Sequence, residues 1–180
     1  MNYLIIDLEA TCVEPKDKNF VNEIIEIGAI LVNDSWEQIS EFDRFVKPVI
    51  NPILTNFCTT LTTIKQSDVD SANGFESVMK DFYYWIGSHM SEFVIFCSWG
   101  KYDWNQMIKD CTYHNVPFHF NPNHINLKQE VAKLLKHKKA GVSNTLKHLN
   151  LEFEGVHHRG IDDCKNILKI CKHVNLKIIG

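Results

Sequence analysis

Hydrophobic positions in this chain fall first into a period of two. The stretch Tyr3 to Thr11 opens with the apolar run Leu4-Ile5-Ile6 and ends with Asp7 and Glu9 two residues apart. Side chains alternate faces along a strand, so a strand here sets both carboxylates on one side, near its C-terminal end. Glu23 to Val32 reads as a long second strand. Trp36 to Lys47 reads as a third, closed by Pro48, with the turn cluster Asn33-Asp34-Ser35 before it. Strands joined this way predict an antiparallel meander. Val13 to Asn22 is polar, contains Pro15 and reads as a loop. The stretch from Pro48 to Asn73, rich in Thr, Asn, Ser and Asp, reads as an ordered loop or short helical turns.

The period then changes. Phe75, Val78, Met79, Phe82, Trp85 and Ile86 recur at three and four, which predicts an amphipathic helix with that stripe in the core. Phe93 to Cys97 reads as a short buried strand leading through Ser98-Trp99-Gly100-Lys101-Tyr102 into Asp103, which opens a helix to about His114. His124 to Leu127 reads as a last strand, with helices near 128–137, 143–149 and 161–175. The order β-β-β-α-β-α-β followed by helices implies a mixed sheet with helices packed on it.

Composition narrows the class. A length of 180 residues fits one domain over 1–180, and 44% hydrophobic with 23% charged residues is ordinary for a soluble globular protein. No apolar stretch approaches the ~20 residues that span a bilayer. Met1 leads into a strand pattern rather than a signal peptide, so the expected location is cytoplasmic and no membrane partner is expected. The six cysteines show no C-x-x-C pairing, which argues against a zinc knuckle or redox motif and predicts free thiols. A formal charge of −3 excludes binding to nucleic acid by bulk electrostatics. It leaves open a nucleic-acid enzyme in which bound metal ions meet the phosphate charge locally. One stretch runs against the acidic balance: 128–148 holds six lysines and one acid, Glu130, either a solvated face or a guide for a phosphate backbone.

Three places carry candidate chemistry. Asp7 and Glu9 are like charges that repel unless a cation lies between them, and oxygen ligands of this kind suit Mg²⁺ or Mn²⁺. Asp103 follows a short strand, where a plain N-cap would explain it equally well. His157-His158-Arg159-Gly160-Ile161-Asp162-Asp163 enters the last helix, and its two acids are also what a helix dipole favours. Asp7-x-Glu9-x-Thr11 looks, too, like the D-x-D-x-T of haloacid-dehalogenase-type phosphatases. Against that stand the Glu at the second position, the two histidines before the late acidic pair, and a meander in place of a crossover. A non-catalytic RNA-binding or adaptor protein on the same fold is the other alternative, and it has no need of the acids and histidine at these three places.

Together the motifs resemble a DEDDh 3′→5′ exonuclease: D-x-E as Asp7 and Glu9, a later Asp after a strand as Asp103, and H-x₄-D as His158 and Asp163. Asp7-Leu8-Glu9-Ala10-Thr11-Cys12, Glu23 to Ala29, Ser98-Trp99-Gly100, Asn126-Leu127-Lys128 and His158 to Asp163 are similar to the Eri-like group. That group includes histone-mRNA 3′-exonucleases and sporulation-inhibitor-type exonucleases. The resemblance implies an α/β, ribonuclease-H-like three-layer fold with a central mixed five-stranded sheet flanked by helices. It implies hydrolysis from the 3′ end of single-stranded nucleic acid, RNA more than DNA, releasing nucleoside 5′-monophosphates. Two Mg²⁺ or Mn²⁺ ions are implied at Asp7, Glu9, Asp103 and Asp163, with His158, rather than His157, as general base. Substrate contacts are expected from the backbone of Ala10 and Thr11, and from Leu61, Trp99 and Tyr102 by stacking or wedging. The group's T-E-L-T-G-I reads Thr59-Thr60-Leu61-Thr62-Thr63-Ile64 here. Loss of the Gly is expected to alter a turn, and loss of the Glu to affect sugar or base contacts.

Overall fold

A computed structural model describes residues 1–89, 94–120 and 123–178. Strands β1 (Asn2–Ala10), β2 (Ile24–Val32) and β3 (Gln38–Phe45) form the expected antiparallel meander. On the other side of β1 lies β4 (Val94–Ser98), parallel to it, and then β5 (Ile125–Asn126), giving the sheet order β3-β2-β1-β4-β5. Phe93, expected to start β4, lies outside the described residues. The helices are α1 (Asn56–Thr62), α2 (Gln66–Asp70), α3 (Phe75–His89), α4 (Tyr102–Tyr113), α5 (Leu127–Leu134), α6 (Val142–His148) and α7 (Gly160–His173). This is the ribonuclease-H-like arrangement of a mixed five-stranded sheet flanked by helices.

Alternation along β1 sorts its side chains into two cores. Leu4, Ile6 and Leu8 join Ile27, Ala29 and Phe42 under Val78, Met79 and Phe82 of α3 and Met107 of α4. Tyr3 and Ile5 join Ile30 and Val32 under Leu127 and Val131 of α5, Leu146 of α6 and Cys164, Ile167 and Cys171 of α7. Covered on both faces, β2 is buried along its whole length, as its near-continuous apolar run requires. Asp7 and Glu9 continue the odd-numbered face, the one beneath α7.

The third strand starts two residues later than expected. Trp36 adopts a left-handed turn, φ 61°, stacks on Tyr3 at 5.2 Å and donates its indole N–H to the Leu176 carbonyl at 2.7 Å. A small third cluster of Ile25, Leu54, Cys58, Ile64 and Val69 seats α1 and α2. Backbone meets backbone where α7 crosses β2. A Cβ on Gly28 would stand 2.1 Å from the Gly160 carbonyl carbon, and one on Gly160 2.8 Å from the Asp7 carbonyl oxygen. Only glycine at both positions lets the helix start this close to the strands.

Candidate active site

Pairing between β1 and β4 ends at Ile5 and Cys97, so the second half of β1, Ile6 to Ala10, has no neighbour strand on that side. α4 fills the gap. Asp103, in its first turn, accepts the Leu8 N–H at 3.1 Å, between the two β1 carboxylates. The N-cap position belongs to Lys101, so the plain N-cap account of Asp103 does not hold. From the other side α7 brings Asp163, whose amide donates to the Arg159 carbonyl at 2.9 Å and whose Oδ2 accepts the His158 N–H at 2.9 Å. His158 itself takes φ 58°, a left-handed turn that sets its ring toward the carboxylates. One ligand atom each from Glu9, His158 and Asp163 lies within 4.8 Å of the others.

His157 goes elsewhere: its ring stacks on Phe153 at 3.9 Å and is hydrogen-bonded to the Ser143 hydroxyl. His158 is therefore the imidazole that groups with Glu9 and Asp163, while the His157 charge still acts on the Asp163 carboxyl.

Glu9, Asp103 and Asp163 are buried and Asp7 is half-buried. Burial, then Asp103, Asp163 and Glu9, pushes the Asp7 carboxyl well above the usual carboxylate range. Burial followed by the charges of Glu26, Asp163 and Asp103 pushes Glu9 up to about 8. Asp103 is raised to about 6 by burial, against the pull of its hydrogen bonds from backbone amides. Asp163 is raised by burial, opposed by the imidazoles of His157 and His158. Among the described residues no lysine or arginine pairs with any of the four. A set of hard oxygen donors with one imidazole and no internal countercharge fits a divalent cation.

The expected substrate contacts divide. Leu61 on α1 and Tyr102 at the start of α4 are exposed, and the Tyr102 hydroxyl, raised first by burial, also responds to Asp103 and Glu9. Ala10 is buried against the Cys58 thiol. Thr11 departs from expectation: its N–H donates to the Glu23 carbonyl and its carbonyl accepts from Asn22, so its backbone secures β2. Trp99 departs as well. Its indole N–H donates to the Ala140 carbonyl at 2.9 Å, and the ring packs with the α5–α6 core.

Glu26 carries no role in the sequence reading. It faces Glu9 across β1 and β2, is fully buried, and accepts from Arg159 and from the Gly160 N–H. The signal was a carboxylate inside an otherwise apolar strand, a position that demands a partner.

A family model described as exonuclease, RNase_T, matches residues 4–171. Rat 3'-5' exoribonuclease 1 is 32% identical over 174 residues, covering 92% of this chain and 50% of that protein. Human ERI1 exoribonuclease 3 is 34% identical over 178 residues, covering 94% of this chain and 52% of that protein. The chain thus spans about half the length of these curated relatives. The crystal structure of the nuclease domain of 3'hExo, a DEDDh family member bound to rAMP, aligns with a TM-score of 0.91 at 29% identity, over 99% of this chain and 96% of that one. Such nucleases depend on divalent metal, in keeping with the donor set at the end of β1. With the match running from β1 into α7, this chain belongs to the RNase_T exonuclease family.

Proposed function

We propose that this chain is a metal-dependent 3′→5′ exoribonuclease that releases nucleoside 5′-monophosphates from the 3′ end of single-stranded RNA. The observation that carries it is the meeting of Glu9, His158 and Asp163 within 4.8 Å, beside Asp7 and Asp103, at the open end of β1. RNA is favoured over DNA because the relatives are named exoribonucleases and the aligned nuclease domain holds rAMP.

Asp7, Glu9, Asp103 and Asp163 would hold two Mg²⁺ or Mn²⁺ ions. Such ions supply Lewis acidity, which lowers the pKa of water and stabilises charge on the phosphoryl oxygens. The chain's own residues do the rest. Asp163 fixes the His158 backbone through its Oδ2 while its carboxylate lies beside Glu9. His158, an exposed imidazole beside Glu9 and Asp163, takes the proton from the attacking water as general base. Asp103, anchored on the Leu8 amide, fixes the opposite wall. Tyr102 and Leu61 offer exposed ring and aliphatic surface on which the terminal base stacks, while the buried Ala10 shapes the floor.

The test is digestion of 5′-labelled single-stranded RNA and DNA, linear and circular, with Mg²⁺ or Mn²⁺. The expected result is a ladder shortened from the 3′ end, release of 5′-mononucleotides, intact circles and no activity in EDTA. Circles cut as fast as linear RNA, or full activity in excess chelator, would overturn the proposal.

A further inference from the structure

We propose that Glu26 and Arg159 act as positioning residues, a clamp that fixes His158 and Asp163 over the β1 carboxylates. This rests on the exonuclease reading for its kinetic consequence, though not for its geometry. α7 starts without a side-chain cap of its own, since Arg159 at its N-cap makes no capping hydrogen bond. The first amides of a helix need partners from somewhere. Here Glu26 on β2 supplies one: its Oε2 accepts the Gly160 N–H at 2.9 Å. Its Oε1 accepts both Nε and Nη2 of Arg159, at 2.9 and 2.8 Å. A single buried carboxylate thus grips the side chain of one residue and the amide of the next.

The grip lies where the site is assembled. Glu26 is the cross-strand partner of Glu9. Arg159 sits directly after His158, and its carbonyl accepts the Asp163 amide at 2.9 Å. The guanidinium is further fixed over the Phe45 ring at 5.1 Å and beside Asp43, whose carboxyl is raised to about 6 by burial and then by Glu26. The Arg159 guanidinium is therefore held by β2 and β3 together. The residues on either side of Arg159 inherit that placement. A buried ion pair is weak evidence for stability, but a forked contact specifies orientation, which an ammonium on a flexible stem does not.

Kinetics and hydrogen exchange on the full chain test this, with a short single-stranded RNA as substrate. Arg159→Ala and Arg159→Lys are both expected to lower kcat about 10- to 100-fold with KM within about twofold, because orientation and not substrate affinity is lost. Millimolar guanidinium should restore part of the rate of Arg159→Ala, since it refills the fork against Glu26. The Gly160 and Asp163 amides should exchange faster in both variants while the β1–β2 ladder keeps its protection. Wild-type kcat in Arg159→Ala would overturn the clamp. Full activity in Arg159→Lys would reduce it to simple charge compensation. A loss that guanidinium does not restore, accompanied by exchange spreading through β1 and β2, would reduce it to a structural pair. A wild-type chain inert toward every RNA and DNA tried removes the exonuclease reading, and exchange at Gly160 and Asp163 then decides the clamp alone.

Discussion

Gly28→Ala adds a single methyl at the point where α7 meets β2. That carbon would lie 2.1 Å from the Gly160 carbonyl carbon, 2.3 Å from the Ile161 nitrogen and 2.6 Å from the Gly160 oxygen. All three are backbone atoms, so no side chain can turn aside. Ordinary contact begins near 3.4 Å, and relief requires α7 to retreat by about 1 Å or more. Gly28 is the cross-strand partner of Asp7, and Gly160 opens the helix that carries Asp163. The retreat therefore goes directly into the spacing between the two carboxylates. Overpacking of this kind costs roughly 1–3 kcal/mol, which for a chain of this size lowers Tm by about 2–12 °C. A misplacement of about 1 Å costs on the order of 10²-fold in rate. The expected outcome is a folded enzyme with its single-turnover rate on a short RNA reduced about a hundredfold at a temperature well below its Tm. Gly87→Ala is the control. A Cβ there meets nothing within 4 Å, and alanine inside α3 should raise stability by about 0.5–1 kcal/mol without touching the rate. A Gly28→Ala enzyme with wild-type rate and wild-type Tm would refute the idea that this contact sets the site.

His158→Ala should lose about 10²–10⁴-fold in kcat, and His157→Ala far less, because it is His158 that groups within 4.8 Å of both Glu9 and Asp163. The reverse order of effects would show the wrong histidine was chosen. Thr63 ends α1 at φ 62°, a left-handed turn that costs a branched residue about 1–2 kcal/mol, so Thr63→Gly should raise Tm by several degrees. A lower Tm would mean that the threonine side chain holds the turn. In the metal-free protein Glu9 binds its proton more tightly folded, at about 8, than at its ordinary 4.5. Its contribution to stability is therefore complete below about 4.5 and is lost as pH rises through about 8, with the slope that linkage requires. Melts in EDTA should fall across that window, and the rise in Tm on adding Mn²⁺ should be larger at its upper end. A metal-induced shift equal at both ends would count against Glu9 as a ligand.

The strands of the meander and α3 were legible because their periods are local. Asp7 and Glu9 share a face for the same reason. α1 and α2, read only as a loop or short turns, have no apolar period to show. Their ends are set by single side chains, such as Thr55 accepting the Cys58 N–H at 3.0 Å. What the sequence could not reveal depends on partners far along the chain. Asp103 looked like a helix cap because its real donor, the Leu8 amide, is 95 residues away. Trp36 continued the alternation of a strand, yet its indole is claimed by the Leu176 carbonyl. Stacking from Trp99 and backbone contacts from Thr11 fit the sequence, yet the fold engages both in holding neighbouring segments. For Gly28 and Glu26 the sequence held a signal, a glycine and a carboxylate within an apolar strand, but nothing in it pointed to Gly160 and Arg159.

Two kinds of buried carboxylate coexist in this fold, and the contrast between them bears on function. Glu23 accepts three backbone amides, from Val49, Ile50 and Asn51, and Asp110 accepts the Ile24 amide and the Gln106 side chain. Those acids serve as struts held by donors that the chain itself supplies, although burial still raises Asp110 to about 6. Asp7 and Glu9 accept no such bond among the described residues, and the nearest guanidinium in sequence to Asp163 is held by Glu26 instead. Burial raises all four acids and repulsion within the cluster raises Asp7, Glu9 and Asp103 further, while the hydrogen bonds to Asp103 and Asp163 and the neighbouring imidazoles offset only part of it. A cluster left this way is strained by its own charge until a proton or a cation enters, so the cost to the metal-free fold and the affinity for metal have one origin. The glycine contact and the Glu26–Arg159 pair fix where α7 meets β2, directly beside those acids.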